Sequence, residues 1–109
     1  MSWPEEFAPG AIRDVEGAVD WFYDSGGPDV ARRMAVATVE AARRIVERPL
    51  MGHARPDVLP APFRFWAVSG FPYLLVYDAS AAPPKVLRVL HTSRDLPPLL
   101  VELRDAPPR

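Results

Sequence analysis

Three arginines and a histidine in the C-terminal half carry the side chains best suited to reaction. Arg64, Arg88, His91 and Arg94 lie in or just after apolar segments, and Asp95 follows Arg94 directly. Cleaving a phosphodiester needs a base that works near neutral pH and cations to hold a pentavalent phosphate. His91 suits the base, and Arg64, Arg88 and Arg94 suit the clamp. Each also admits a plain structural role. His91 could end a strand half-buried and hydrogen-bonded to backbone, with Arg94 and Asp95 pairing to hold the following loop. Arg88 alternates with Val86 and Leu90, so it either faces solvent or buries only its stem. Arg64 shares a side with Trp66 and Val68, where it could stack on the indole as a structural or a binding contact.

Other chemistries have thinner support. The chain has no cysteine, hence no disulfide framework, thiol nucleophile or thiolate metal site. Its two histidines, His53 and His91, fall in separate segments, and Asp57 adds too little near His53 for a closed ligand set, so neither metal nor cofactor is expected. Gly26 and Gly27 lack the lysine and hydroxyl residue of a phosphate loop and read as a helix stop. No serine sits in a nucleophile-elbow string.

Composition sets wider bounds. With 109 residues, 49% hydrophobic and 25% charged, the chain has the make-up of one globular domain, its 14 prolines belonging in turns and tails. The start MSWPEEF lacks the basic and apolar regions of a signal peptide, and no apolar run nears the roughly 20 residues of a membrane span. A cytoplasmic protein without membrane contact is expected. The net charge of −1 disfavours strong direct nucleic-acid binding. Charge is unevenly placed, however. Residues 1–29 hold seven acids against Arg13, whereas residues 30–109 hold twelve bases against seven acids. Either helix-end preference and chance explain this, or the later part offers a basic face to an acidic partner or nucleic acid.

Apolar spacing supplies the elements that must position these side chains. Ile12, Val15, Val19 and Phe22 recur at steps of three and four, predicting an amphipathic helix over Asp14 to Tyr23 that stops at Ser25, Gly26 and Gly27. Pro28 and Asp29 suit the start of a second helix running to about Glu47, with Pro49 beyond it. Ala31, Met34, Ala41 and Ile45 form one apolar side of this helix, and Val36, Val39 and Val46 add a second, which calls for more than one neighbour. After a proline-rich loop the period falls to two. Phe63 to Val68, Phe71 to Tyr77 and Val86 to His91 read as three strands of an antiparallel meander. Leu96 to Leu103 reads as a short helix, and residues 1–6 and 104–109 as frayed ends. The aromatics Phe71, Tyr73 and Tyr77 suit a core better than a ligand platform. The fold class expected is α+β, a two-helix hairpin on one face of a small antiparallel sheet of three to four strands. Phe65, Leu75, Val76, Val89 and Leu90 should lie in or beside the core, under Ile12, Val19 and Met34.

Four strings in this order resemble the RelE/ParE toxin family, nearest its ParE branch: AIRDVEGAVDWFYD (Ala11 to Asp24), RPLMGHARPDVL (Arg48 to Leu59), FRFWAVSGFPYLLVYD (Phe63 to Asp78) and VLRVLHTSRDL (Val86 to Leu96). Gly52, Arg55 and Pro56 match the family's loop after the second helix. Arg88 to Asp95 matches its "R-V-L-H-x-x-R-D" string. The resemblance covers about residues 7 to 103 and departs at the front, where the family's first strand would fall on Ser2 to Pro9, interrupted by Pro4 and Pro9.

The resemblance implies a toxin of a type II toxin–antitoxin system, neutralised by a cognate ParD-like antitoxin. The ParE branch acts on DNA gyrase, and the RelE branch cleaves messenger RNA on the ribosome. RelE-branch enzymes carry an arginine before the "Leu-Val-Tyr" of the middle strand and an aromatic or histidine some residues after the last strand. Leu74 and Leu100 stand near those places here, so the non-enzymatic, gyrase-directed reading is favoured. The alternatives are a ribosome-dependent ribonuclease using His91, Arg94, Arg64 and Arg88, and a weakly toxic co-regulator that chiefly binds its antitoxin. Val36, Val39, Val46, Arg55, Arg64, Arg88 and Arg94 are the candidate partner-binding residues.

Overall fold

The protein is described by a computed structural model over residues 2–104. Met1 and residues 105–109, part of the expected frayed ends, lie outside the described residues. Helix α1 spans Pro9–Gly26 and α2 spans Pro28–Glu47, each with a proline in its first turn where a missing N–H costs nothing. Gly27 alone joins them. Its φ of 89° lets the chain reverse while its N–H bonds to the Tyr23 carbonyl at 2.9 Å. The buried sides of the two helices are rich in small residues, Ala11 and Ala18 on α1 and Ala31, Ala35, Ala41 and Ala42 on α2.

Strands β1 (Phe63–Ala67), β2 (Tyr73–Asp78) and β3 (Lys85–His91) form an antiparallel sheet in the order β1-β2-β3. The second strand begins two residues later than the sequence predicts, because Pro72 has no N–H to give the ladder. Both faces of the sheet are covered. Leu75, Tyr77, Val86 and Val89 pack with Val15, Met34 and Ile45 of the hairpin. Phe65, Val76 and Leu90 pack on the other face against Val58, Leu59, Leu96 and Leu100. The second cover comes from the proline-rich loop and two short helices, α3 (Leu96–Leu99) and α4 (Val101–Arg104). This explains why YLLVY in the central strand is almost unbroken in apolarity rather than alternating.

A register shift between Val76 and Tyr77 pairs Tyr77 with Val86 and Val76 with Arg88, leaving Leu87 as an extra residue. The bulge breaks the simple alternation expected along β3 and brings Val86 and Val89 into the same cluster. In place of a first strand, Phe7 makes a single parallel bridge to Val86: Val86 N–H donates to the Glu6 carbonyl and Ala8 N–H to the Val86 carbonyl, each at 2.8 Å. Phe7 is buried and Trp3 stacks on it with ring centroids 6.0 Å apart, so the segment from Trp3 is held against the domain.

Candidate functional site

At one end of the sheet, the loop after α2 is fastened by four residues. The buried Tyr77 hydroxyl donates to the Pro49 carbonyl at 2.6 Å and accepts from Gly52 N–H at 2.9 Å. Arg64 donates to the Gly52 carbonyl at 2.7 Å and reaches that of Leu50 at 3.4 Å. His53 and Phe65 exchange backbone bonds of 2.8 and 2.9 Å, which continues the sheet beyond the edge of β1. Gly52 must be glycine for reasons of space: a Cβ there would collide with the Tyr77 hydroxyl and lie 2.9 Å from the Phe65 carbonyl oxygen. Arg55 sits with its guanidinium carbon 5.9 Å from the centre of the Phe65 ring, and its Nη2 lies 3.5 Å from Asp57 Oδ2. Trp66 stacks on His53, not on Arg64.

The outer edge of β3 is closed by a cross-link from α1. Arg88 grips Asp14 through two bonds, Nε to Oδ2 at 2.7 Å and Nη2 to Oδ1 at 3.0 Å, while Val89 N–H donates to the same Oδ2 at 2.9 Å. A third guanidinium bond of 3.3 Å reaches the Leu99 carbonyl, so one side chain ties together α1, β3 and the C-terminal helices. The side chains are only 28% and 16% exposed, and the Asp14 hydrogen bond holds the Arg88 guanidinium's pKa above its ordinary value despite burial.

Beyond this cross-link, a groove of about 410 Å³ runs between α1 and the far end of β3. Arg13, Gly17 and Trp21 supply the helix side at steps of four, and Tyr73, His91 and Arg94 supply the other. His91 Nδ1 accepts from Ser93 N–H at 3.0 Å, with Ser93 Oγ 2.7 Å away. An accepting Nδ1 leaves the proton of the neutral ring on Nε2. The imidazole is also braced edge-on by Tyr73, centroids 5.1 Å apart. Arg94 bonds to the His91 carbonyl through its backbone N–H at 3.1 Å, and neither it nor Arg13 forms a side-chain ion pair among the described residues. The local Arg94–Asp95 pair that the sequence suggested is therefore absent there.

A second, apolar groove of about 260 Å³ opens on α2, bounded by Val39, Ala42, Arg43, Val46, Pro4 and Glu6. Val36 on the same helix is 60% exposed. Of the residues singled out from sequence, the structure thus gathers Val39 and Val46 in one groove and Arg88, His91 and Arg94 at another. Arg64 and Arg55 lie elsewhere, at the fastened loop. Sequence reasoning missed Asp14 and the role of the Tyr77 hydroxyl. Asp14 had a visible signal: it falls three residues after Ala11 and four before Ala18, on the inward side of α1, where a carboxylate needs a partner.

Comparison with known proteins agrees with this architecture. A solved structure described as a chromosomal ParDE toxin–antitoxin system from P. aeruginosa superposes with a TM-score of 0.69 at 18% identity, covering 80% of this chain and 92% of that one. At such identity the likeness speaks for the fold. No curated sequence matches the chain. The family model for the ParE toxin of the type II toxin–antitoxin system parDE matches residues 6–96, which takes in both helices, all three strands and the Asp14–Arg88 cross-link. The chain belongs to the ParE toxin family of type II toxin–antitoxin systems.

Proposed function

We propose that this toxin acts by inhibiting DNA gyrase without cleaving RNA, and that a ParD-like antitoxin restrains it by folding a segment onto the apolar groove of α2. The observation that carries the first part is the state of the would-be catalytic groups. Arg64 is engaged by two loop carbonyls and Arg88 by Asp14, which removes two cations from a phosphate clamp. The lone pair a general base would need on His91 already accepts from Ser93. One lost donor lowers a rate by about 100- to 1,000-fold, so a clamp reduced to Arg94 leaves little catalysis.

Support for the second part is the groove of Val39, Ala42, Val46 and Pro4 beside the exposed Val36. A disordered segment folding as it binds can cover such a surface with a few apolar anchors.

The test compares gyrase supercoiling with cleavage of ribosome-bound message, using wild type and His91→Ala. Inhibition of supercoiling without cleavage, equal in both proteins, is expected. Cleavage by wild type that disappears in His91→Ala would overturn the reading in favour of a ribonuclease. Antitoxin affinity is measured separately with Val39→Asp, which is partly exposed and should leave the fold intact. A loss of at least about tenfold is expected for a charge placed in an apolar contact. Undiminished affinity in the folded variant would move the antitoxin off this groove.

A further inference from the structure

We propose that the groove between α1 and the end of β3 is a binding site for a nucleoside diphosphate, held by Arg13 and Arg94 through its phosphates and by Trp21 through its base. The inference concerns binding alone, at a groove whose Arg88, His91 and Arg94 also belong to the ribonuclease alternative. It begins with charge. The groove's lining contains three arginines, Arg13, Arg88 and Arg94, against one carboxylate, Asp14, in a chain whose net charge is −1. Asp14 is already committed to Arg88 and to Val89 N–H, so it neutralises neither of the other two. Guanidiniums bordering a concave space offer phosphate oxygens paired N–H donors.

An aromatic surface stands beside this charge. Trp21 is 59% exposed on the same helix face as Arg13, two turns further on, and its indole meets Phe22 edge-on, at an angle of 84°. An exposed indole next to arginines offers a stacking platform that any base can use. Tyr73 and His91 add a hydroxyl and an imidazole N–H on the opposite wall, groups suited to a ribose or a phosphate oxygen. A volume of about 410 Å³ lies within the range of small-molecule sites.

Gly17 supplies an independent observation. It occupies the middle of α1, between Arg13 and Trp21, although glycine is among the poorest helix formers. Its φ is not left-handed, and a Cβ built there meets nothing within 4 Å. Neither packing nor backbone conformation requires glycine at this position. Glycine here leaves the floor of the groove bare, with room for a ligand to approach the helix.

The test is equilibrium binding to the purified full chain, by calorimetry and by quenching of tryptophan fluorescence, with four probes: ADP, pyrophosphate, adenosine and hexaglutamate. ADP should bind at least about tenfold more tightly than each of the other three, because it alone offers both charge and a base. Trp21→Ala and Arg94→Gln should each weaken ADP at least about tenfold, and Trp21→Ala should also remove the quenching. Gly17→Leu separates binding from folding: it should abolish ADP binding while Tm stays level or rises, since leucine favours the helix. Pyrophosphate binding as tightly as ADP would reduce the site to an anion patch, and tighter hexaglutamate would make it a peptide surface. Either overturns the proposal, as does ADP binding that survives in Gly17→Leu or is absent from wild type.

Discussion

The two ends of the sheet hold the same kinds of side chain in opposite conditions. At one end, Arg64 and Tyr77 face each other across the β1–β2 ladder and both are occupied, the guanidinium by loop carbonyls and the hydroxyl as donor and acceptor at once. At the other, Arg94 and Tyr73 border an open groove, and among the described residues neither side chain makes a hydrogen bond. An arginine satisfied by fixed carbonyls serves the fold. One left without a partner beside a concavity is available to a ligand. Residue type does not distinguish the two ends; partnership does.

The sharpest way to break this comparison is at Gly52. Alanine there would force the Tyr77 ring and hydroxyl away and press on the Phe65 carbonyl, opening the Tyr77, Arg64 and His53 bonds together. Overpacking costs about 1–3 kcal/mol, and each stranded donor or acceptor adds to it, so Gly52→Ala should lose about 3 kcal/mol or more in urea unfolding. A Gly17→Ala protein makes the matched control, because glycine at that position is not confined by neighbours and alanine favours the helix. Equal losses at the two glycines would remove the distinction between a closed end and an open one.

Next in size is the Asp14–Arg88 cross-link, which belongs with the closed end although it borders the groove. Breaking a buried pair by removing one partner costs about 3–5 kcal/mol. With side chains 28% and 16% exposed, water compensates part of this, and about 2–3 kcal/mol is expected for Asp14→Ala. Asp14→Asn should cost less, since an amide oxygen can still accept from Val89 N–H. A loss below about 0.5 kcal/mol, the ordinary range for surface changes, would place Arg88 among the available cations after all.

How much of this was legible in the sequence follows from the range over which each signal acts. Helix and strand periods are local, and α2 was delimited as Pro28 to Glu47 because proline and acid mark its start and Pro49 its end. The meander likewise followed from short connections. The bulge at Leu87 was hidden because Val86, Arg88 and Leu90 alternate as well in a regular strand as beside an extra residue. The cover on the second face was hidden too, since Val58 and Leu59 sit in a loop that carries no period. At the candidate site, cationic residue types were visible, but their partners lie far along the chain: 74 residues separate Asp14 from Arg88 and 25 separate Gly52 from Tyr77. The loop glycine of the family resemblance acquires its physical reason only when Tyr77 is seen against it.

The finest test sets the two tyrosines against each other. In Tyr77→Phe, Gly52 N–H and the Pro49 carbonyl both lose their partner, so a loss of about 1–2 kcal/mol is expected at neutral pH. Tyr73→Phe removes a hydroxyl with no such bonds and should stay within about 0.5 kcal/mol. Alkali sharpens the contrast. Burial raises the Tyr77 hydroxyl above its ordinary 10.0, against the opposing Gly52 bond and Arg64 charge, and burial raises Tyr73 against the charge of Arg94. A folded state that holds a proton more tightly than the unfolded chain is favoured in full below pH 10, and loses that contribution as pH rises through the folded value. Deprotonated Tyr77 can no longer donate to Pro49, whereas deprotonated Tyr73 breaks no hydrogen bond among the described residues and gains attraction to Arg94. Urea unfolding at pH 7 and above pH 10 should therefore show wild type losing stability, with Tyr77→Phe flattening that loss more than Tyr73→Phe. The reverse ranking would mean that the hydroxyl at the groove, not the one at the loop, holds the sheet.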